Sequence, residues 1–200
     1  MKKILNLLVL IAVFSTFNPV NSYCQGFQIG YINSENKTVI PSTITTKVNL
    51  NGIQVGPTYQ LELTNNISAN TGLLYSFQFG EATYIASTKI TAHNIDLPIH
   101  ITLNIPINKD LKCFAYSGPN FTYEIAKKAE TTILGFVTTQ DFYDDKNLIR
   151  FNLQAGVGGG VTYKKFTLKA GYDWGLTDRY KASGTSINSN SFKASINYLL

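Results

Sequence analysis

The sequence predicts an all-β protein, an eight-stranded antiparallel up-and-down transmembrane β-barrel. Three observations lead to this fold class. Apolar and polar residues alternate with a period of two over long segments, the polar face carries few charges, and short turns alternate with long loops. A strand that crosses a bilayer at a tilt needs about 9–11 residues, whereas ordinary globular strands have about 5–6.

The segment 151–177 shows the alternation most fully, on both sides of the two-residue turn Lys164-Lys165. Its apolar residues share one face, and the opposite face carries mainly Asn, Gln, Thr and Gly. A water-facing sheet would carry dense Lys and Glu there. The polar face therefore suits the interior of a barrel, and the apolar face is expected to contact lipid.

Eight segments with this pattern can be placed along the chain. The fourth is the clearest, because Ile or Leu stands at every second position from Ile95 to Ile107, which a helix would distribute over all its sides. Its two prolines, Pro98 and Pro106, cannot donate to a β-ladder, so we expect them at β-bulges. The predicted strands are 26–34, 51–64, 67–84, 94–107, 111–126, 151–163, 166–177 and 191–200.

Two strands carry unusual residues on the inward face. Phe114 and Tyr116 have inward parity, which predicts either a bulge near 118–119 or two aromatic rings packed inside the barrel. The run Gly156–Gly160 superficially resembles a phosphate-binding loop, but it lies within a strand pattern and no helix follows. These glycines are predicted to make room for larger side chains opposite, or to relieve strong curvature.

The connections between the strands alternate in length. The short turns are 65–66, 108–110 and 164–165, and the long loops are 35–50, 80–89, 127–147 and 178–190. Outer-membrane barrels have short periplasmic turns and long external loops. The alternation therefore predicts that both termini lie on the periplasmic side with the short turns.

Residues 1–24 are interpreted as a secretory signal peptide. Two lysines precede an apolar stretch of 14 residues, Ile4–Phe17, which is shorter than the about 20 that a spanning helix needs. Cleavage is expected after Ser22 or after Cys24, and an uncleaved anchor is the less favoured alternative. The barrel domain then covers 25–200. Cleavage after Ser22 would leave a Cys24–Cys113 disulfide possible, and cleavage after Cys24 would leave Cys113 as a single cysteine.

Charge composition limits the partners. Charged residues make up 14% of the chain, against about 25% in a typical soluble domain. Without the two lysines of the signal peptide, 15 basic residues stand against 12 acidic ones, a net charge of +3. Because this charge is weak and scattered, it does not indicate nucleic acid binding.

Seven charged residues are predicted to point into the lumen. Buried charges must be paired, so we expect an ion network that plugs the barrel, and a ligand or catalytic site there is the alternative. Tyr163, Phe166 and Tyr198 are expected at the inner membrane interface and Trp174 at the outer one, as aromatic girdles. The predicted inward network consists of Glu62, Asp96, Lys112, Glu124, Lys169, Asp173 and Lys193.

The sequence offers little enzymatic chemistry. His100 and Asp96 share the inward face but lie about 13 Å apart along the strand, so they cannot pair directly. Two histidines without a Cys/His cluster make a metal site improbable, and neither a GxSxG elbow nor a Cys-His signature is present. We therefore expect no catalytic residue, no cofactor and no metal.

Four segments carry a resemblance to a known family: NGIQVGPTYQLEL, NIDLPIHITLNIP, FAYSGPNFTYE and FNLQAGVGGGVTYKKFTLKAGYDWGLTD. They resemble the PorT-like outer-membrane β-barrel family of small OmpA/OmpX-type barrels, over nearly all of the mature chain. The resemblance implies a bacterial outer membrane location, with lipid and the barrel-assembly machinery as partners. One departure is the C-terminus, where such barrels commonly end in an aromatic residue and this chain ends Asn197-Tyr198-Leu199-Leu200.

The favoured function is that of an integral outer-membrane barrel with a structural or surface-interaction role. Eight strands enclose a space that side chains can fill, so the lumen is expected to be packed rather than open. The long loops are expected to contact any surface or secretion partner. The alternatives are a soluble, secreted, lipocalin-like barrel that binds a small apolar ligand inside, or a component of a protein-secretion system.

Overall fold

The computed structural model describes residues 23–40, 44–83, 87–133, 136–144, 147–181 and 184–200. Residues 1–22, which hold most of the predicted signal peptide, lie outside these ranges. Within them the chain forms ten β-strands and one short 3-10 helix, η1. Their bounds are β1 Tyr23–Ile40, β2 Ile44–Glu62, β3 Ile67–Gly72, β4 Leu74–Thr83, β5 Ser87–Pro106, β6 Leu111–Ile133, β7 Phe136–Asp141, η1 Phe142–Asp144, β8 Phe151–Tyr163, β9 Phe166–Gly175 and β10 Ser186–Leu199.

The strands close into a ring. Strand β1 pairs with both β2 and β10, and β3 and β4 together form one interrupted strand between β2 and β5. The ring continues through β6, β8 and β9 to β10, and every pairing is antiparallel. This eight-membered ring confirms the predicted fold class. Strand β7 lies outside it and pairs with the far end of β6.

The break between β3 and β4 has a simple cause. The ladder with β5 stops at Thr71 and resumes at Leu74, opposite Pro98, which has no N–H to donate. The prediction that Pro98 and Pro106 sit at bulges is wrong, because both keep a regular register with β6. The register shifts instead between His93 and Asn94.

Both described ends of the chain lie with the short turns. Lys164 N donates to Asp110 O at 2.8 Å, which joins two of these turns. Leu199 N donates to Lys165 O at 2.8 Å, and Leu200 N donates to Gln25 O at 2.8 Å. From this end of the barrel, β1, β4, β6 and β9 run towards the opposite end.

The predicted long loops are mostly strand, which corrects the sequence analysis. β1 and β2 remain paired as far as Ile40 and Ile44, and β4 and β5 as far as Thr83 and Ser87. In 127–147 the chain forms an additional hairpin between β6 and β7, followed by η1. These parts lie beyond the apolar band, so their outer face is polar and the alternation disappears, while β-branched residues still favour strands.

The side chains of the barrel are arranged inside out relative to a soluble protein. The residues buried in the lumen are mostly polar, and large apolar side chains of the outward parity are exposed. This arrangement does not favour the lipocalin-like alternative, which needs an apolar interior. Exposed examples are Phe27, Ile29, Ile53, Phe79, Ile99, Ile101, Leu103, Ile105, Val157, Leu168, Leu176 and Ile196.

Candidate functional site: the packed lumen and the outer collar

A layer of polar side chains fills the middle of the barrel. Lys193 Nζ lies 2.8 Å from Asp173 Oδ2 and 3.6 Å from Asp96 Oδ1. Gln54 Nε2 donates to Asp96 Oδ2 at 2.9 Å, so side chains from separate strands meet within the lumen. We call this set the central layer, and its members are Gln54, Asp96, Asn120, Gln154, Asp173 and Lys193.

Amide side chains complete the central layer. Asn120 Nδ2 donates to Gln154 Oε1 at 2.9 Å, and Gln154 Nε2 donates to Ser189 O at 2.9 Å. Asn120 and Gln154 are 0% and 1% exposed, so neither side chain is reached by solvent. The layer therefore fills this level of the lumen with paired charges and hydrogen-bonded amides, although Asn120 Oδ1 has no hydrogen-bond partner among the described residues.

A second ionic layer lies towards the outer end. Arg179 Nη2 is 3.1 Å from Glu124 Oε2, and both side chains are nearly fully buried. Tyr143 Oη donates to Glu124 Oε1 at 2.6 Å and accepts from Arg179 Nη2 at 3.0 Å. Burial raises the pKa of the Tyr143 phenol, and the Glu124 carboxylate raises it further. The phenol therefore remains a proton donor, and it fixes η1 to the mouth of the barrel.

An apolar cluster closes the outermost part of the interior. Leu50, Ile90, Ala92 and Ala129 are buried together, and Val48 and Phe142 pack against them. These residues lie in the parts of the strands that extend beyond the apolar band. We call this extension, residues 35–40, 44–50, 80–83, 87–92, 126–133 and 136–144, the outer collar. Its own core makes it a folded element rather than a set of loops.

The inner half of the lumen contains two aromatic rings. Tyr116 is buried and stacks on His100 with ring centroids 4.6 Å apart, and Phe114 lies 6.4 Å from Tyr116. This confirms the second of the two alternatives given for Phe114 and Tyr116. A Cβ at Gly160 would lie 2.7 Å from Phe114 Cζ, and one at Gly158 would meet the Tyr116 hydroxyl. The glycines therefore make room for these rings.

The seven inward charges of the sequence analysis are distributed unequally. Asp96, Asp173 and Lys193 meet in the central layer, and Glu124 pairs with Arg179 in the outer one. Lys169 lies over the Tyr116 ring with Nζ 5.2 Å from its centroid. Glu62 and Lys112 are exposed instead of buried, because they lie at strand ends where the lumen opens to water.

The four aromatic residues of the sequence analysis are exposed on the outer surface. Phe166 and Tyr198 pack against each other with centroids 5.2 Å apart. Lys164 Nζ lies 5.5 Å from the Tyr163 ring centroid, beside the inner turn. Trp174 lies at the other end of β9 and packs on Tyr172.

Sequence reasoning missed Tyr143, Arg150 and Arg179 as lumen-closing residues. The Arg150 guanidinium lies 3.7 Å from the centroid of the Tyr143 ring. All three are in or next to segments without strand periodicity, so no local signal assigned them an inward direction. The Cys113 thiol is free, and the side chain of Cys24 lies outside the described side chains.

Fold and interior together define the class of protein. A closed eight-stranded barrel with a lipid-compatible outer face and a polar, packed interior is an integral membrane β-barrel. Among the described residues, no helix is long and apolar enough to cross a membrane. The chain belongs to the family described as outer membrane protein beta-barrel domain, which matches residues 16–181. It is therefore a protein of the bacterial outer membrane, and lipid surrounds it.

Several solved structures resemble the chain. Ail, the attachment invasion locus protein of Yersinia pestis, is 13% identical over 90% of this chain and 100% of its own, with a TM-score of 0.38. Neisserial surface protein A is 13% identical over 87% and 97%, with a TM-score of 0.45. OprG from Pseudomonas aeruginosa is 7% identical over 90% and 96%, with a TM-score of 0.46. The comparison with curated proteins gave no significant match.

Proposed function

We propose that the protein is a non-conducting, non-enzymatic barrel whose outer collar binds a partner or surface outside the cell. One observation carries the proposal: the lumen is filled at successive levels while the strands continue past the apolar band as a folded collar. A filled lumen leaves no path for transport. The collar is then the part of the molecule that can meet an external partner.

The hairpin of β6 and β7 is the part of the collar that best suits such contact. Phe136 and Val137 are 79% and 64% exposed, outside the apolar band. These two apolar side chains are therefore available for contact with a partner. Among the described strands β7 pairs with β6 alone, so its other edge offers backbone groups to an incoming strand.

Site-specific cross-linking in native membranes tests this function. A photoreactive benzoylphenylalanine replaces Phe136 in one variant and Asn108, in an exposed inner turn, in the matched control. We expect one discrete cross-linked adduct at position 136 in intact cells, lost when Val137 and Thr138 are changed to Asp. Adducts confined to position 108 would contradict the proposal.

We propose, from the resemblance of its sequence segments, that the chain is a PorT-like member of its family. A role in protein secretion is the second candidate, which the cross-linking also tests. A secretion component should give adducts to other envelope proteins at position 108 as well as at position 136. We further propose that the barrel-assembly machinery reads the last strand, where Tyr198 and Leu200 are exposed on the outer surface.

We propose that residues 1–24 act as the signal peptide. Strand β1 begins at Tyr23, which pairs with Leu61, and this pairing favours cleavage after Ser22 over cleavage after Cys24. N-terminal sequencing of protein purified from outer membranes measures the site directly. A first residue of Tyr23 supports the proposal. A chain that still begins at Met1 would show an uncleaved anchor.

We propose that Tyr163, Phe166 and Tyr198 lie at the inner membrane interface and Trp174 at the outer one. The protein contains a single tryptophan, so its fluorescence reports one position. Lipids brominated at a shallow acyl position should quench Trp174 more strongly than lipids brominated near the bilayer centre. Stronger quenching by the deep bromines would place Trp174 within the hydrocarbon core and contradict the assignment.

A further inference from the structure

A cavity of about 60 Å³ lies inside the barrel at the end of the short turns. Tyr116, His100 and Lys169 line its deeper part, and Gln60 and Leu199 line it at the strand ends. On this measure one water needs roughly 10–15 Å³, so the cavity has room for a group of about four or five heavy atoms. We call this cavity the inner vestibule.

The charge of the inner vestibule has one sign. Among the described residues that line it, none is Asp or Glu, and the basic ones are Lys169 and His100. The ion pairs found in the described part of the chain do not include Lys169. The inward carboxylates of Asp96 and Asp173 lie in the central layer and are engaged by Lys193. The ammonium of Lys169 therefore lacks a direct counter-ion.

Two hydrogen bonds in the vestibule wall each leave one donor group available. Thr58 Oγ1 donates to Asn197 Oδ1 at 3.0 Å, which leaves the Asn197 amide N–H groups available. Asn70 Nδ2 donates to Thr102 Oγ1 at 2.6 Å, which leaves the Thr102 O–H available. A wall that presents N–H and O–H groups beside an unpaired ammonium is complementary to an anion.

His100 forms part of the vestibule wall but does not turn a donor into it. It is 6% exposed, and its Nε2 is buried without a hydrogen-bond partner in the described structure. A Cβ at Gly156 would lie 3.4 Å from this atom and would also meet Asp173 Oδ1, so Nε2 faces the central layer. His100 and Lys169 both contact the Tyr116 ring.

We propose that the inner vestibule binds one small oxyanion, a carboxylate or a phosphate group, that enters from the periplasm. Lys169 supplies the charge, and Thr102 and Asn197 supply hydrogen bonds. The size of the vestibule limits the bound group to that of acetate or orthophosphate. The carboxylate of a peptide C-terminus and a free metabolite both fit this chemistry.

A titration of the isotope-labelled, refolded protein in detergent micelles tests the proposal. Sodium acetate and orthophosphate are added separately at constant ionic strength with chloride, and amide shifts of Thr162, Thr167 and Asn197 are followed by NMR. Either probe should give saturable shifts at these residues. The probe that binds with the higher affinity shows whether the site prefers a carboxylate or a phosphate group.

Three variants separate a site from general electrostatics. Lys169→Gln should weaken binding at least about tenfold, the scale of one lost charge-assisted hydrogen bond. Lys169→Arg should bind within a few-fold of the wild type. Lys164→Gln, the matched control, removes an exposed charge from the turn at the same end and should change nothing.

Two results would overturn the inference. One is the absence of saturable shifts with both probes in wild-type protein that shows the folded, heat-modifiable form on electrophoresis. The other is equal affinity of the wild type and the Lys169→Gln variant, which would mean that the shifts arise elsewhere on the barrel.

Discussion

Lys193 and Asp173 form an ion pair of 2.8 Å in the interior of the barrel, between Nζ and Oδ2. Asp173 on β9 pairs with Ser191 on the neighbouring strand β10, and Lys193 lies two residues further along β10, opposite Gly171. Lys193 Nζ also reaches Asp96 from there. One ammonium thus bridges two buried carboxylates, and closure of the lumen depends on it.

Replacement of Lys193 by Met should destabilise the barrel strongly. Two carboxylates would remain buried without a counter-ion, and breaking a buried pair in this way costs about 3–5 kcal/mol. The free energy of unfolding in urea, measured in lipid vesicles, provides the test. Lys47→Met breaks the exposed pair with Glu35 and should cost less than about 1 kcal/mol. Similar losses in both variants would mean that the central layer is not a closed network.

A charged side chain at the centre of the outer face should destabilise the barrel. Leu168 is 55% exposed on the lipid-facing surface, and Leu168→Arg should cost about 2–4 kcal/mol if this site lies near the bilayer midplane. Thr167 lines the inner vestibule, so Thr167→Arg should reduce the free energy of unfolding by less. The same urea unfolding measures both. Equal losses at the two positions would contradict the assignment of inner and outer faces.

The glycines opposite Tyr116 should be sensitive to a single methyl group. A Cβ at Gly171 would meet the Tyr116 hydroxyl and come within 2.8 Å of Val157 O. Gly171→Ala should therefore cost about 1–3 kcal/mol through overpacking. Tyr116→Phe in the same chain removes the hydroxyl and should recover part of this loss. If the changes in unfolding free energy of the two substitutions simply added, Tyr116 would not be the group that requires a glycine at position 171.

The periodic segments of the sequence contain enough information for the barrel. The alternation from Ile95 to Ile107 appears in β5 with its apolar residues outside, because lipid on one face and a polar lumen on the other impose a period of two. The inward parity of Asp96, Asp173 and Lys193 could be read in the same way. The alternation does not predict which charges meet, because the contacts depend on strand register and strand tilt.

The outer collar could not be predicted by the same reasoning. The strand segments 35–40 and 44–50 consist mainly of Thr, Asn, Lys and Glu, so a paired strand and a polar loop have similar sequences here. Tyr143 lies in η1, and Arg179 lies between β9 and β10, where no strand parity applies. Their meeting with Glu124 is a tertiary contact without a local signal.

Orientation in the membrane can be measured on whole cells. Because the collar is the external end in this account, proteinase K added outside should nick 127–147 first, where β7 is exposed. The turns 63–66, 107–110 and 164–165 should stay intact until the membrane is permeabilised. Mass spectrometry of the fragments gives the cut sites. Cleavage at these turns in intact cells would mean that the short turns, and not the collar, face the outside.

Single-channel recording in a planar bilayer tests the closed lumen most directly. The central layer, the Glu124–Arg179 pair and the apolar cluster of the collar all lie across the path of an ion. The refolded wild-type protein should therefore show no stable stepwise current, in keeping with an eight-stranded interior that side chains fill. A reproducible, stepwise ion current through the wild-type barrel would contradict this account and make the protein a pore.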